Sequence, residues 1–183
     1  MVSGNKAVYP QIAALAHVEG CVYLSILVST EGSIRDPIYL GGPVLMRQSA
    51  IEAAQSWRFK PSAQDVQTVS SVCYFLRGDT PEKLLKDYQE AAEKHPDSRR
   101  LTALAHKLLL VGSADGAEKY FRKALTLSSK DSDAEFGLGD SLAAQGEFAN
   151  AIAEYQRGLI IAPKNQPAKD HLSILEKCNR TDN

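Results

Sequence analysis

The hydrophobic pattern changes period part-way along the chain. From Cys21 to Ser29 the residues alternate, with Val22, Leu24, Ile26 and Val28 on one face and Tyr23, Ser25 and Leu27 on the other. A period of two predicts a strand with one buried face. Thr30-Glu31-Gly32-Ser33 reads as a turn, with Gly32 free to take positive φ. Ile34, Ile38 and Leu40 continue the alternation on a second strand, interrupted by Pro37. Proline lacks the ladder donor, so this strand is expected at a sheet edge. After Gly41-Gly42-Pro43 the period becomes helical, and Leu45, Met46, Ala50, Ala53, Ala54 and Trp57 form one stripe. The helix stops at Trp57-Arg58-Phe59-Lys60-Pro61. There Pro61 biases Lys60 away from the helical region, and Trp57 and Phe59 share one side of an extended backbone. Val66 to Leu76 is a last β-rich run, ended by Gly78-Asp79. A short helix over about 10–17 precedes the first strand; Tyr9-Pro10 opens it and Gly20 ends it.

Beyond Gly78-Asp79-Thr80-Pro81 the pattern is helical to Lys177. Thr80 is a suitable cap and Pro81 a suitable first helical residue. The segment repeats itself at an offset of 34. Leu104 falls on Leu138, Ala105 on Gly139, Leu108 on Leu142 and Gly112 on Gly146; Ala117 falls on Ala151, Phe121 on Tyr155, Ala124 on Gly158 and Leu125 on Leu159. Small residues at 105/139 and 117/151 let paired helices approach closely. The aromatics at 121/155 fill the gap to the next repeat, and Gly112 and Gly146 end the first helix of each pair. Tyr88, Ala91 and Pro96 read as the second helix of an incomplete preceding repeat, one residue out of register. Residues 165–178 read as a capping helix, with Leu172 and Leu175 inward and Lys169, Asp170 and Lys177 outward.

Two resemblances follow. Tyr9-Pro10, Gly20-x-Val22-x-Leu24, Gly32, Ala50, Ala53 and Trp57-Arg58-Phe59-x-Pro61, in that order, resemble the C-terminal domain of TonB, the energy transducer of Gram-negative outer-membrane uptake. The 34-residue period with its small–small–aromatic–small positions is similar to the tetratricopeptide repeat. The expected architecture is a small α+β domain over 8–78, with a three-stranded sheet and two helices. An all-α repeat domain over 81–178 follows, with full repeats at 98–131 and 132–165 and flanking helices. Tyr9, Pro10, Gly20, Trp57, Phe59 and Pro61 are the structural motif of the first domain.

The TonB resemblance implies that the last strand is an open edge. It would take up an extended peptide, the Ton box of an outer-membrane transporter, by strand addition. The residues so implied are Val66, Thr68, Val69, Ser70, Ser71, Val72, Cys73 and Tyr74. The repeat resemblance implies a concave groove for a second protein, lined by Arg99, Thr102, His106, Asp133, Phe136 and Asp140. The Lys/Asn carboxylate clamp of some family members is absent from these positions. The alternative is a scaffold in which the edge strand pairs in a homodimer and the array supports self-association, with no transport role.

Composition narrows these readings. A net charge of -1 gives no basic footprint for nucleic acid or anionic membrane. No apolar run approaches the roughly 18–20 residues that span a bilayer, and no signal-peptide pattern is present. The membrane anchor and spacer that a transducer needs are likewise missing from this sequence. The expectation is a periplasmic, soluble portion anchored elsewhere, with a cytoplasmic location as the alternative. Of Cys21, Cys73 and Cys178, the odd count argues against a disulfide framework. Cys21 and Cys73 fall in predicted strands and could lie near each other, but all three are read as small buried hydrophobes. His17, His95, His106 and His171 have no ligand spacing, no Gly-x-Ser-x-Gly elbow occurs, and Gly137-x-Gly139 lacks a phosphate loop's other residues. No enzyme activity, metal or cofactor is expected.

Overall fold

A computed structural model describes residues 1–76 and 80–181. The chain divides into two compact units, Met1–Leu76 and Arg77–Thr181. The joint at Gly78-Asp79 lies outside the described residues.

The first unit runs α1 (Gln11–Leu15), β1 (Gly20–Val28), β2 (Ile34–Gly41), a 3-10 turn (Val44–Met46), α2 (Arg47–Gln55) and β3 (Val66–Tyr74). The strands form one antiparallel sheet in the order β2-β1-β3. Gly20 begins the first strand instead of ending the helix before it. The expected face of β1 is the core face: Val22, Leu24, Ile26 and Val28 pack with Ala13, Met46, Ala50, Ala54 and Trp57. Phe59 joins this cluster beside Trp57, as their spacing requires. Around them the chain is tied by backbone bonds from Arg58 N–H to Ser3 O (2.8 Å) and from Phe59 N–H to Gly32 O (2.8 Å). Gly32 has φ +83°, and a β-carbon there would stand 2.2 Å from the Phe59 carbonyl oxygen, so only glycine closes this turn.

Three local expectations change. Pro37 does lie on an edge strand, but it sits in a bulge: the register slips between the Ser25–Ile38 and Leu27–Arg35 pairs, and Asp36 takes φ 41°. An extra residue reverses the side-chain parity beyond it. Ile34 and Tyr39 therefore meet the core cluster, whereas Ile38 lies opposite Ser25 on the other face. Leu45 is exposed, because the 3-10 turn places only Met46 of its three residues inward. Cys21 and Cys73 are not separate thiols: they are cross-strand partners joined by a disulfide, while Cys178 is free and buried.

Among the described residues the second unit forms six helices: α3 (Pro81–Lys94), α4 (Ser98–Leu110), α5 (Ala114–Leu127), α6 (Ser132–Ala144), α7 (Phe148–Ile161) and α8 (Gln166–Thr181). Thr80, Asp97, Asp131 and Asn165 precede α3, α4, α6 and α8, each accepting a backbone N–H three residues on. Gly112 (φ 88°) and Gly146 (φ 84°) follow the ends of α4 and α6. The N–H groups of Ser113 and Glu147 then reach back to the carbonyls of Leu108 and Leu142, closing a Schellman motif in each repeat. The seams between helices are set by glycine against aromatic. A β-carbon on Gly137 would lie 2.3 Å from the Phe121 ring, and one on Gly139 would lie 2.5 Å from the Tyr155 ring. Among the described residues of α3, Leu85 and Ala92 are buried, whereas Tyr88 and Ala91 of the expected stripe are exposed. In α8, Leu175 and Cys178 are fully buried, and Leu172 is half-buried.

Candidate functional site

The two units offer two surfaces of different kinds. On the sheet, β3 pairs with β1 along its whole length, from Gly20–Tyr74 to Val28–Val66. No further strand lies beside β3 among the described residues. In an antiparallel ladder a residue's N–H and C=O point to the same side, and successive residues point to opposite sides. Two observations fix the phase. The N–H of Ser29 donates to Ser33 O (2.8 Å) in the β1–β2 turn, so odd-numbered residues of β1 face β2 and even-numbered residues face β3. The Cys21–Cys73 pair has a Cα–Cα distance of 3.9 Å, the close spacing of a pair without reciprocal hydrogen bonds. Both leave the backbone groups of Gln67, Val69, Ser71 and Cys73 pointing out of the sheet edge.

Of the residues expected at this edge, Val66, Thr68, Ser70, Val72 and Tyr74 spend their backbone groups on β1. Val69, Ser71 and Cys73 do not, and neither does Gln67, which is outside the set that the resemblance implies. The outward four alternate with Val72 and Tyr74, which pack toward the core cluster, so their side chains stand on the opposite face. Gln67 Nε2 donates to Ser25 Oγ (3.0 Å) on that face. Tyr9 and Pro10 lie at the far end of β3: the Tyr9 ring meets Tyr74 edge-on at 5.6 Å and its hydroxyl donates to Val18 O (2.8 Å). Burial raises the Tyr9 phenol pKa, with the Glu19 carboxylate adding to the effect.

In the helical unit, Arg99, Thr102, His106 and Asp133 come together in one open groove of about 580 Å³ between α4 and α6, with Lys130 and Asp131 also in its lining. His106 Nε2 lies 3.3 Å from Asp133 Oδ2, and this bond holds the Asp133 carboxyl below its ordinary pKa. The His106 ring also meets Phe121 edge-on at 4.9 Å. Phe136 and Asp140 are engaged elsewhere. The Phe136 ring rests on Tyr155 at 5.5 Å, where a β-carbon on Gly158 would collide with it. Asp140 accepts from the Tyr155 hydroxyl (2.6 Å) and stands 3.2 Å from His171 Nδ1. Burial, with the Asp140 charge, drives the Tyr155 pKa far upward. These residues lock the last repeat to the capping helix.

A second polar cluster sits between α6 and α7. Glu135 and Glu154 are both buried, and Arg157 bridges them, with Nε 2.7 Å from Glu154 Oε2 and 3.8 Å from Glu135 Oε2. Burial, then the neighbouring Glu154, pushes the Glu135 carboxyl up to about 7. No signal in the sequence pairs these residues, because they belong to different helices. Among the described residues no group of three or more His, Cys, Asp or Glu side chains is placed to hold a metal, and no helix is long and apolar enough to cross a membrane.

Comparison with known proteins divides the chain in the same order. Residues 5–74 match the family model described as Gram-negative bacterial TonB protein C-terminal, and residues 102–166 match a tetratricopeptide repeat model. Both matched families are non-catalytic interaction modules. No curated protein matches. Among solved structures, the first TPR domain of the human RPAP3 protein is 19% identical with a TM-score of 0.53, over 55% of this chain and 80% of that one. The Arabidopsis OM64 TPR domain is 22% identical with a TM-score of 0.51, over 53% and 81%. The second TPR domain of human RPAP3, in complex with the HSP70 peptide SGPTIEEVD, is 21% identical with a TM-score of 0.50, over 52% and 81%. At these identities the likeness is one of fold.

Proposed function

We propose that this chain is a periplasmic protein–protein adaptor. Its sheet takes up an extended, Ton-box-like segment of an outer-membrane transporter on the free edge of β3, and its helical array recruits a second protein. The observation that carries the reading is the row of backbone groups at Val69, Ser71 and Cys73 that point away from β1 at the sheet edge. An incoming strand satisfies this row by hydrogen bonds and places alternate side chains on the two faces of the sheet. Each bond contributes about 0.5–1.5 kcal/mol net, so a short segment binds modestly and its loss is readable. The match of residues 5–74 to the TonB C-terminal model supports the choice of partner. The Cys21–Cys73 disulfide supports an oxidising compartment, since such bonds are kept in the periplasm and reduced in the cytosol.

The test is backbone amide NMR of the full chain against pooled Ton-box-like peptides. Shifts concentrated at Gln67, Val69, Ser71 and Cys73 are expected. Ser71→Pro removes an outward N–H and lowers affinity about tenfold or more with the β1–β3 ladder intact. Ser70→Pro removes a ladder donor and destabilises the sheet itself. Saturating peptide with no shift along β3 overturns the transport reading. Shifts at the same residues that depend only on protein concentration would assign the edge to self-association instead.

A further inference from the structure

We infer that the Cys21–Cys73 disulfide is a reducible fastener that sets whether β3 is held as a formed edge, so that a dithiol reductant switches strand uptake off. The inference rests on the reading of β3 as a peptide-binding edge and adds the regulation of that edge.

The two bonded strands are held very unequally. β1 is the central strand, and eight of its nine residues are buried. Of the described residues of β3, only Tyr74, at its last position, is buried. Core packing therefore grips the end of β3 and little of the rest, and backbone bonds at an exposed edge open locally at low cost. The strand is pinned near its two ends. Just before it, Asp65 accepts from Thr30 N–H (2.9 Å) and stands 3.4 Å from Arg35. That pin is exposed and screened by solvent. The pin near the other end, at Cys73, is covalent.

The two sulfurs also differ in access. Cys21 is fully buried, whereas Cys73 is exposed. Thiol–disulfide exchange needs a thiolate to reach one of the two sulfurs, and access decides which. Cys73 belongs to the edge strand, with no further strand beside it among the described residues, so the reductant enters there. One thiolate of the dithiol bonds to Cys73 Sγ. The Cys21–Cys73 bond breaks, and its electron pair leaves on Cys21 Sγ, which takes up a proton. The second thiolate of the reductant then displaces Cys73 from the mixed disulfide, and Cys73 takes up a proton in turn. The protein disulfide is reduced by two electrons and the dithiol is oxidised to its own disulfide. Cys178 is fully buried and takes no part.

Peptide and reductant meet at one place. Cys73 is among the residues whose backbone groups point out of the edge, so a strand added beside β3 covers the approach to its sulfur. The coupling is reciprocal: the closed disulfide favours peptide, and bound peptide makes the disulfide harder to reduce.

The experiment compares the full chain, oxidised and after dithiothreitol, with pooled Ton-box-like peptides as the probe. Amide hydrogen exchange is read at Thr68, Ser70 and Val72 of the β1–β3 ladder. Ser29, whose N–H bonds Ser33 O in the β1–β2 turn, is the internal reference. After reduction the three β3 amides should exchange about tenfold faster or more, while Ser29 keeps its protection. Peptide affinity should fall about tenfold, because only the formed edge binds. Cys21→Ala with Cys73→Ala should show the reduced behaviour and no response to dithiothreitol. Saturating peptide should slow reduction of the unsubstituted chain. Unchanged β3 exchange and unchanged affinity after reduction overturn the switch and leave the adaptor reading standing. Loss of protection at β3 and Ser29 together also overturns it, since the disulfide is then a staple of the whole unit. Faster β3 exchange without peptide binding in the oxidised chain keeps the fastener but overturns both the adaptor reading and the switching of uptake.

Discussion

The sheet unit and the helical array both end in surfaces fit for a partner, but they differ in what they leave unsatisfied. At the edge of β3 the outward groups belong to the backbone, and Val69, Ser71 and Cys73 differ in side chain while presenting the same N–H and C=O. The groove between α4 and α6 is lined by helix and loop residues, and what it presents are polar side chains such as Arg99, His106, Lys130 and Asp133. The first surface presents a directional row of backbone groups, the second a set of charged and polar side chains. The units also hold themselves together differently. β1 and β3 join residues up to 54 positions apart, from Gly20 to Tyr74, whereas the seams of the array join helices that are consecutive or one apart, as α4 with α6. Losses in the sheet should therefore act through loop closure, and losses in the array through packing at one seam.

The largest expected effect sharpens this contrast. The Cys21–Cys73 disulfide spans 52 positions and fixes the edge strand to the central one. Its removal by Cys21→Ser with Cys73→Ser should cost the sheet unit about 2–4 kcal/mol, read as a lower urea midpoint of sheet resonances. Reductant added to the unmodified chain should reproduce the shift, and the array, whose Cys178 is a free thiol, should not respond.

A smaller loss is expected from one seam of the array. Gly137→Val forces a branched side chain into the Phe121 ring and should destabilise the helical unit by about 1–3 kcal/mol. Helical resonances at α5 and α6 report it. An unchanged midpoint would mean that the seam re-packs freely and that the small–aromatic pairing is not what holds consecutive repeats.

The smallest effect is electrostatic and also confined to the array. The Glu135 carboxyl titrates near 7 when folded and near the ordinary 4.5 when unfolded. Between those values the folded chain keeps a proton that the unfolded chain has lost. The contribution is thus complete below about pH 4.5 and disappears as pH rises through 7. Discounted for solvent screening at the half-exposed Arg157, the change is on the order of 1 kcal/mol. Glu135→Gln should flatten this part of the pH–stability curve, followed by thermal melts between pH 5 and 8. A curve as steep as that of the unsubstituted chain would remove Glu135 as its source.

Much of this architecture was legible in the chain. The period of two placed Val22, Leu24, Ile26 and Val28 on the core face, Pro37 marked an edge strand, and the offset of 34 aligned Phe121 with Tyr155 and Gly112 with Gly146. Each depends on residues near in sequence or on an exact repeat. The edge was legible as a strand but not as a set of acceptors and donors. Side-chain alternation shows which face a residue takes, whereas the direction of its N–H depends on pairing with a strand some fifty residues away. The disulfide was hidden for the same reason, since Cys21 and Cys73 meet only once that register is set.

The sequence by itself determined the elements, their order and the helical repeat, because local periodicity and turn chemistry act over a few residues. Tertiary structure alone decided the parity of β3, the reversal at the Asp36 bulge, the burial of Ala92 in place of Ala91, and the place of Lys130 beside Arg99 and Thr102. Each of these depends on how separate segments pair or pack, and a shift of one residue in register changes every group that faces outward.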